Sequence, residues 1–69
     1  MEKKYRIRYQ YTGQPIGFWS GAYDSNFIED YKENGLKADL LKCDYIEIYE
    51  DGKPDALERI NRDGTTIKK

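Results

Sequence analysis

Two stretches of this chain alternate apolar and polar residues at the period-two spacing of β-strands. In Lys4-Tyr5-Arg6-Ile7-Arg8-Tyr9-Gln10-Tyr11, the rings and Ile7 share one face, and Lys4, Arg6, Arg8 and Gln10 share the other. In Cys43-Asp44-Tyr45-Ile46-Glu47-Ile48-Tyr49-Glu50, Ile46 and Ile48 are set to floor a core, while Tyr45, Glu47 and Tyr49 point away from it. The second stretch predicts a central, half-buried strand of a mainly antiparallel sheet.

Between them the pattern is punctuated by turn and cap chemistry. Thr12-Gly13-Gln14-Pro15 predicts a hairpin turn, since Gly13 permits positive φ and Pro15 restricts Gln14. With that loop, Tyr11 faces Ile16, Tyr9 faces Phe18, Ile7 faces Ser20 and Tyr5 faces Ala22. The opposite face then sets Arg8 across from Trp19 and Arg6 across from Gly21, so a guanidinium is expected over the indole. Gly17 and Gly21 weaken this second strand and mark a bulge or bend. Asn26 followed by Glu29 has the form of a capping box and predicts a helix with Phe27, Ile28 and Tyr31 on its buried side. Asn34-Gly35 predicts a left-handed stop, with Leu36 folding back on the last turn. The connector 37–42 has no clean period and fits a helical turn or extended chain.

After the central strand, Asp51-Gly52 is a hairpin signal, and residues 54–60 fit two elements. As a helix, Pro54 stands near its start and Gly64 beyond its end. As a strand, the segment needs a bulge, because Leu57 and Ile60 have opposite parity. The immediate return implied by the Asp-Gly turn tips the reading to a strand. Asn61-Arg62-Asp63-Gly64 is then a second turn before a short Thr65-Thr66-Ile67. The fold class expected is α+β: a small antiparallel sheet with one helix packed on one face, in the order β-β-α-β followed by a hairpin strand or short helix.

Length allows one domain, spanning 1–69, with a modest core. Seven tyrosines, two phenylalanines and one tryptophan must therefore supply much of the packed volume. A net charge of −1 hides an uneven distribution. Residues 1–23 carry four basic groups against one acid, 24–51 three against nine, and 52–69 five against three. Neighbouring strands can neutralise such blocks across the sheet, and the blocks can equally polarise a surface. Cys43 stands alone, so no internal disulfide forms; with no leader-like start and no apolar run of spanning length, the expected setting is the cytoplasm, without a membrane partner.

Histidine is absent, which removes the commonest general base, metal ligand and catalytic triads together. Ser20 lacks the glycine spacing of a nucleophile elbow, and Cys43 has no neighbour in sequence that lowers its pKa. Asp51, Asp55 and Glu58 do not have calcium-loop spacing, and the glycines 13, 17 and 21 do not open a helix onto a phosphate. No enzyme activity, cofactor or metal is expected. What remains is a surface carrying Arg6, Arg8, Trp19, Tyr23, Tyr45 and Tyr49 around Glu47. These residue types concentrate binding energy at interfaces, so the function expected is a non-catalytic module that binds another protein or a second copy of itself. The bland alternative is an arginine-to-Glu47 cross-strand ladder. Two further functional readings share the chain: a single-stranded nucleic-acid binder using the same face, disfavoured by the acidic balance, and an acidic inhibitor that occupies a basic surface elsewhere.

Overall fold

The computed structural model describes residues 3–68; Met1, Glu2 and Lys69, including the end charges counted above, lie outside the described residues. The elements run β1 (Tyr5–Tyr11), β2 (Phe18–Trp19), α1 (Ser25–Asn34), α2 (Leu36–Leu40), β3 (Cys43–Glu50), β4 (Ala56–Asn61) and β5 (Thr66–Lys68). The strands form one antiparallel five-stranded sheet in the order β2-β1-β3-β4-β5, an α+β fold with β3 at its centre. Both helices lie on one face. Ile28, Leu36 and Leu40 close over Ile7, Ile46, Ile48 and Ile60, with Cys43 in the same cluster. Ile7, Cys43 and Ile46 are fully buried. Tyr5, Tyr9, Tyr11, Tyr23 and Tyr31 fill the periphery, as expected where aliphatic residues are few.

Three reversals carry the sheet on glycines. Gly13, Gly52 and Gly64 have φ of 84°, 85° and 93°, in the left-handed region that only glycine adopts cheaply. The segment 56–61 is the strand of the two alternatives, and it carries the required bulge. Ile48 pairs with Glu58 and Tyr49 with Ala56, leaving Leu57 as the extra residue. This slip brings Glu58 to the helix side, where it is buried and ion-paired with Lys32 of α1. A second slip, between Gln10 and Tyr11, leaves Asp44 unpaired in the ladder and turns Cys43 inward opposite Tyr11. Thr12 Oγ1 donates to the displaced Asp44 carboxylate at 2.9 Å.

The helical region departs from expectation at both ends. The N-cap is Asp24, not Asn26: its backbone is still extended, and its carboxylate accepts from the Phe27 N–H at 2.9 Å. A carboxylate there also meets the positive end of the helix dipole. Gly35 is right-handed, with φ −113° and ψ −24°, so the chain does not stop but enters a second short helix. The glycine is needed for closeness instead. A Cβ on Gly35 would meet the Tyr31 ring at 3.0 Å. That ring joins the two helices, since the Tyr31 hydroxyl donates to Asp39 at 2.5 Å. Of the connector 37–42, residues 37–40 are thus helical, in a helix that begins at Leu36, and two helices rather than one cover the sheet.

Candidate functional site

The sheet face opposite the helices is built by alternation from the same strands. Its centre is a single row in which each residue pairs with the next across all five strands: Trp19, Arg8, Glu47, Arg59 and Ile67. Arg6 and Tyr49 form part of the adjoining row on one side, and Tyr45 part of the row on the other. No helix crosses this face among the described residues, yet Glu47 is only 6% exposed. It is covered by its neighbours. Arg8 Nη1 donates to Glu47 Oε1 at 3.0 Å, Arg59 Nη2 to Oε2 at 3.2 Å, and the Tyr49 hydroxyl to Oε1 at 3.4 Å. Each carboxylate oxygen therefore has a donor, which is what a buried charge requires.

The rings are held by guanidiniums of the same face. Arg59 lies 4.1 Å from the centre of the Tyr45 ring, and Arg6 lies 4.9 Å from that of Trp19. Trp19 and Tyr49 meet at 4.8 Å with their planes 60° apart. Arg8 also donates to the Tyr45 hydroxyl at 3.4 Å. That bond, with Glu47 behind it, raises the Arg8 pKa against the opposing effect of desolvation. Burial raises the Tyr49 phenol, and the nearby Glu47 charge adds to it. Gly17 is the floor beneath Arg8: a Cβ there would stand 2.7 Å from the guanidinium carbon. The glycine that weakens β2 as a strand is the one that admits the arginine.

Five of the six residues singled out from sequence, Arg6, Arg8, Trp19, Tyr45 and Tyr49, share this face. Tyr23 does not. The expected register holds through Arg8 with Trp19 and Tyr9 with Phe18, and then the chain slips by one, so that Tyr5 pairs with Tyr23 instead of Ala22. Paired residues share a face, so Tyr23 joins Tyr5 on the helix side and stacks on Phe27 at 4.0 Å. Ser20 makes the break: its hydroxyl, in place of a ladder carbonyl, accepts the Ile7 N–H at 2.8 Å. The partners of the arginines are also exchanged. Arg6, not Arg8, takes the indole, because Arg8 stands directly opposite Glu47. Arg59 and Ile67 were missed because residues 54–60 fitted two elements, leaving parity unassigned. The Asp-Gly turn, counted with a bulge at Leu57, contains the signal that places them.

Among the described residues, no group of three His, Cys, Asp or Glu side chains is arranged to hold a metal, and no helix is long and apolar enough to cross a membrane. Cys43 is fully buried and its thiol is pushed up by that burial, the opposite of an activated nucleophile. Comparison of the chain with known protein families, curated proteins and solved structures finds no match.

Proposed function

We propose that this protein is a small non-catalytic binding module whose helix-free sheet face docks another protein. The observation that carries the reading is the five-strand row, whose two ends are wet and apolar: Trp19 is 47% exposed and Ile67 52%. Between them stand arginines and tyrosines already fixed by one another, so little side-chain freedom is lost on docking. A cross-strand ladder and a binding surface coexist here, since the ladder is what orders the surface.

Single-stranded nucleic acid is the second reading, favoured by one observation. The acidic side chains Glu29, Asp30 and Glu33 are carried by α1, on the far side of the sheet, and leave the arginine face free of their repulsion. Against it, Tyr45 is already capped by Arg59 and Trp19 by Arg6, which occupies ring faces that bases would stack on. A photo-crosslinking residue at position 67, with one at Glu33 as control, separates the readings in cells that make the protein. The expected outcome is a protein adduct at 67 that is lost in the Trp19→Ala variant. Nucleic-acid adducts at 67 would promote the second reading. Equal labelling from 67 and 33 would remove the face as a site.

A further inference from the structure

The chemistry of this face narrows its occupant, on the reading that it docks a protein. Among the described strand residues, three guanidiniums, those of Arg6, Arg8 and Arg59, share the face with the Glu47 carboxylate, which is already bonded through both oxygens. Glu47 contributes almost no accessible surface, whereas the Arg59 side chain is 43% exposed. What the face offers outward is therefore positive charge between two apolar ends. Trp19 and Ile67 are four strand spacings apart, roughly 19 Å at about 4.8 Å per spacing, a span that about six extended residues cover.

A second copy does not complement this arrangement. Two such faces related by a two-fold axis through Glu47 bring Trp19 of one onto Ile67 of the other, so their apolar ends match. The same operation brings Arg8 of one onto Arg59 of the other. Cation meets cation, and Glu47, the carboxylate of the row, is already bonded on each copy.

We infer that the occupant is a different protein presenting an acidic segment, with carboxylates for Arg6 and Arg59 set between apolar side chains that reach Trp19 and Ile67. Arg6 stacks on Trp19 and, among the described residues, has no carboxylate partner. Electrostatic complementarity of this kind speeds encounter and selects against wrong partners more than it adds affinity.

The test uses the whole chain, labelled with nitrogen-15, and follows the Trp19 indole N–H and arginine Nε–H signals. The probes are an Asp/Glu-rich peptide with leucine near each end, its Asn/Gln isostere, and a short oligothymidine. Sedimentation of the protein alone reports its state of association. The acidic peptide is expected to move the Trp19, Arg6 and Arg59 signals at millimolar concentration, with the isostere weaker and the protein monomeric. The Arg6→Gln, Arg59→Gln double variant is expected to bind about tenfold more weakly. Arg6→Gln alone, which leaves both partners of Glu47 in place, guards against a loss caused by misfolding and is expected to weaken binding in the same direction. Equal binding of the isostere, or a dimer abolished by Trp19→Ala, would overturn the acidic occupant and leave protein docking standing. Oligothymidine binding with no response to either peptide would overturn both. So would a monomer whose face answers none of the probes.

Discussion

Two neighbouring rows of the sheet show how differently the same strands can be covered. On the helix side, Phe18, Tyr9, Ile46, Ile60 and Thr66 pair in sequence across the five strands; one residue along or back, Trp19, Arg8, Glu47, Arg59 and Ile67 do the same on the other side. Ile46 is fully buried beneath a helical layer, and Glu47, 6% exposed, is nearly as dry with only side chains around it. The first row loses water to other elements, and its stability comes from apolar area and close packing. The second is dried by its own arginines and rings, and its order comes from charge-assisted bonds and stacking. A face of that kind remains fixed in shape yet open at its ends, which suits a surface that meets a partner.

The largest test of this contrast is Ile46→Ala. A cavity in so small a core is expected to cost about 2 to 4 kcal/mol in urea unfolding, with an unchanged denaturant slope. A loss under about 1 kcal/mol would mean the helix-side row carries less than its burial implies. Glu47→Gln probes the other row. Its two arginine partners are partly exposed, 24% and 43% at the side chain, and regain water when the charge is removed. The expected cost is therefore about 1 to 2 kcal/mol, below that of a fully enclosed ion pair. A gain in stability would show that drying the carboxylate outweighs its bonds.

Alkaline titration compares the faces again, since raised phenols lie on both. Tyr9, Tyr11 and Tyr31 on the helix side, Tyr49 on the outer face, and the Cys43 thiol all stand above their ordinary values of 10.0 and 9.0, chiefly through burial. The folded state keeps protons that the unfolded chain releases. The stability these groups contribute is thus complete below about pH 9 and is lost as pH rises further, through the shifted values. Urea midpoints measured at rising pH check this, and a midpoint that stays level through about pH 11 would contradict it. Tyr31→Phe is expected to flatten the decline most, because Tyr31 has the largest shift of the group, from burial and its bond to Asp39.

The smallest effect expected is optical. Trp19, half exposed beside Arg6, should be quenched more by iodide than by caesium, relative to a free tryptophan derivative, because the face attracts anions. Stronger quenching by caesium would contradict a positive face.

Alternation by itself determined β1 and β3, and with them the division between Ile7, Ile46 and Ile48 on one side and Arg6, Arg8, Tyr45, Glu47 and Tyr49 on the other. Local turn chemistry sufficed for the reversals at Gly13, Gly52 and Gly64, because a positive φ is a property of the residue and its immediate neighbours. The register of Arg8 with Trp19 followed from loop length. Tertiary structure decided what parity cannot carry past a slip. A one-residue shift turns a side chain to the other face, so the break at Ser20 moved Tyr23 into the core periphery, and the bulge at Leu57 set Arg59 and Ile67 in line with Glu47. Which arginine takes the ring and which the carboxylate was likewise decided across strands, where Arg8 found Glu47 opposite and left Trp19 to Arg6. Gly35 kept a right-handed conformation because the helix that follows it buries Leu36 and Leu40 and holds Asp39 against Tyr31, contacts between segments that outweigh the local preference of Asn-Gly to stop a helix.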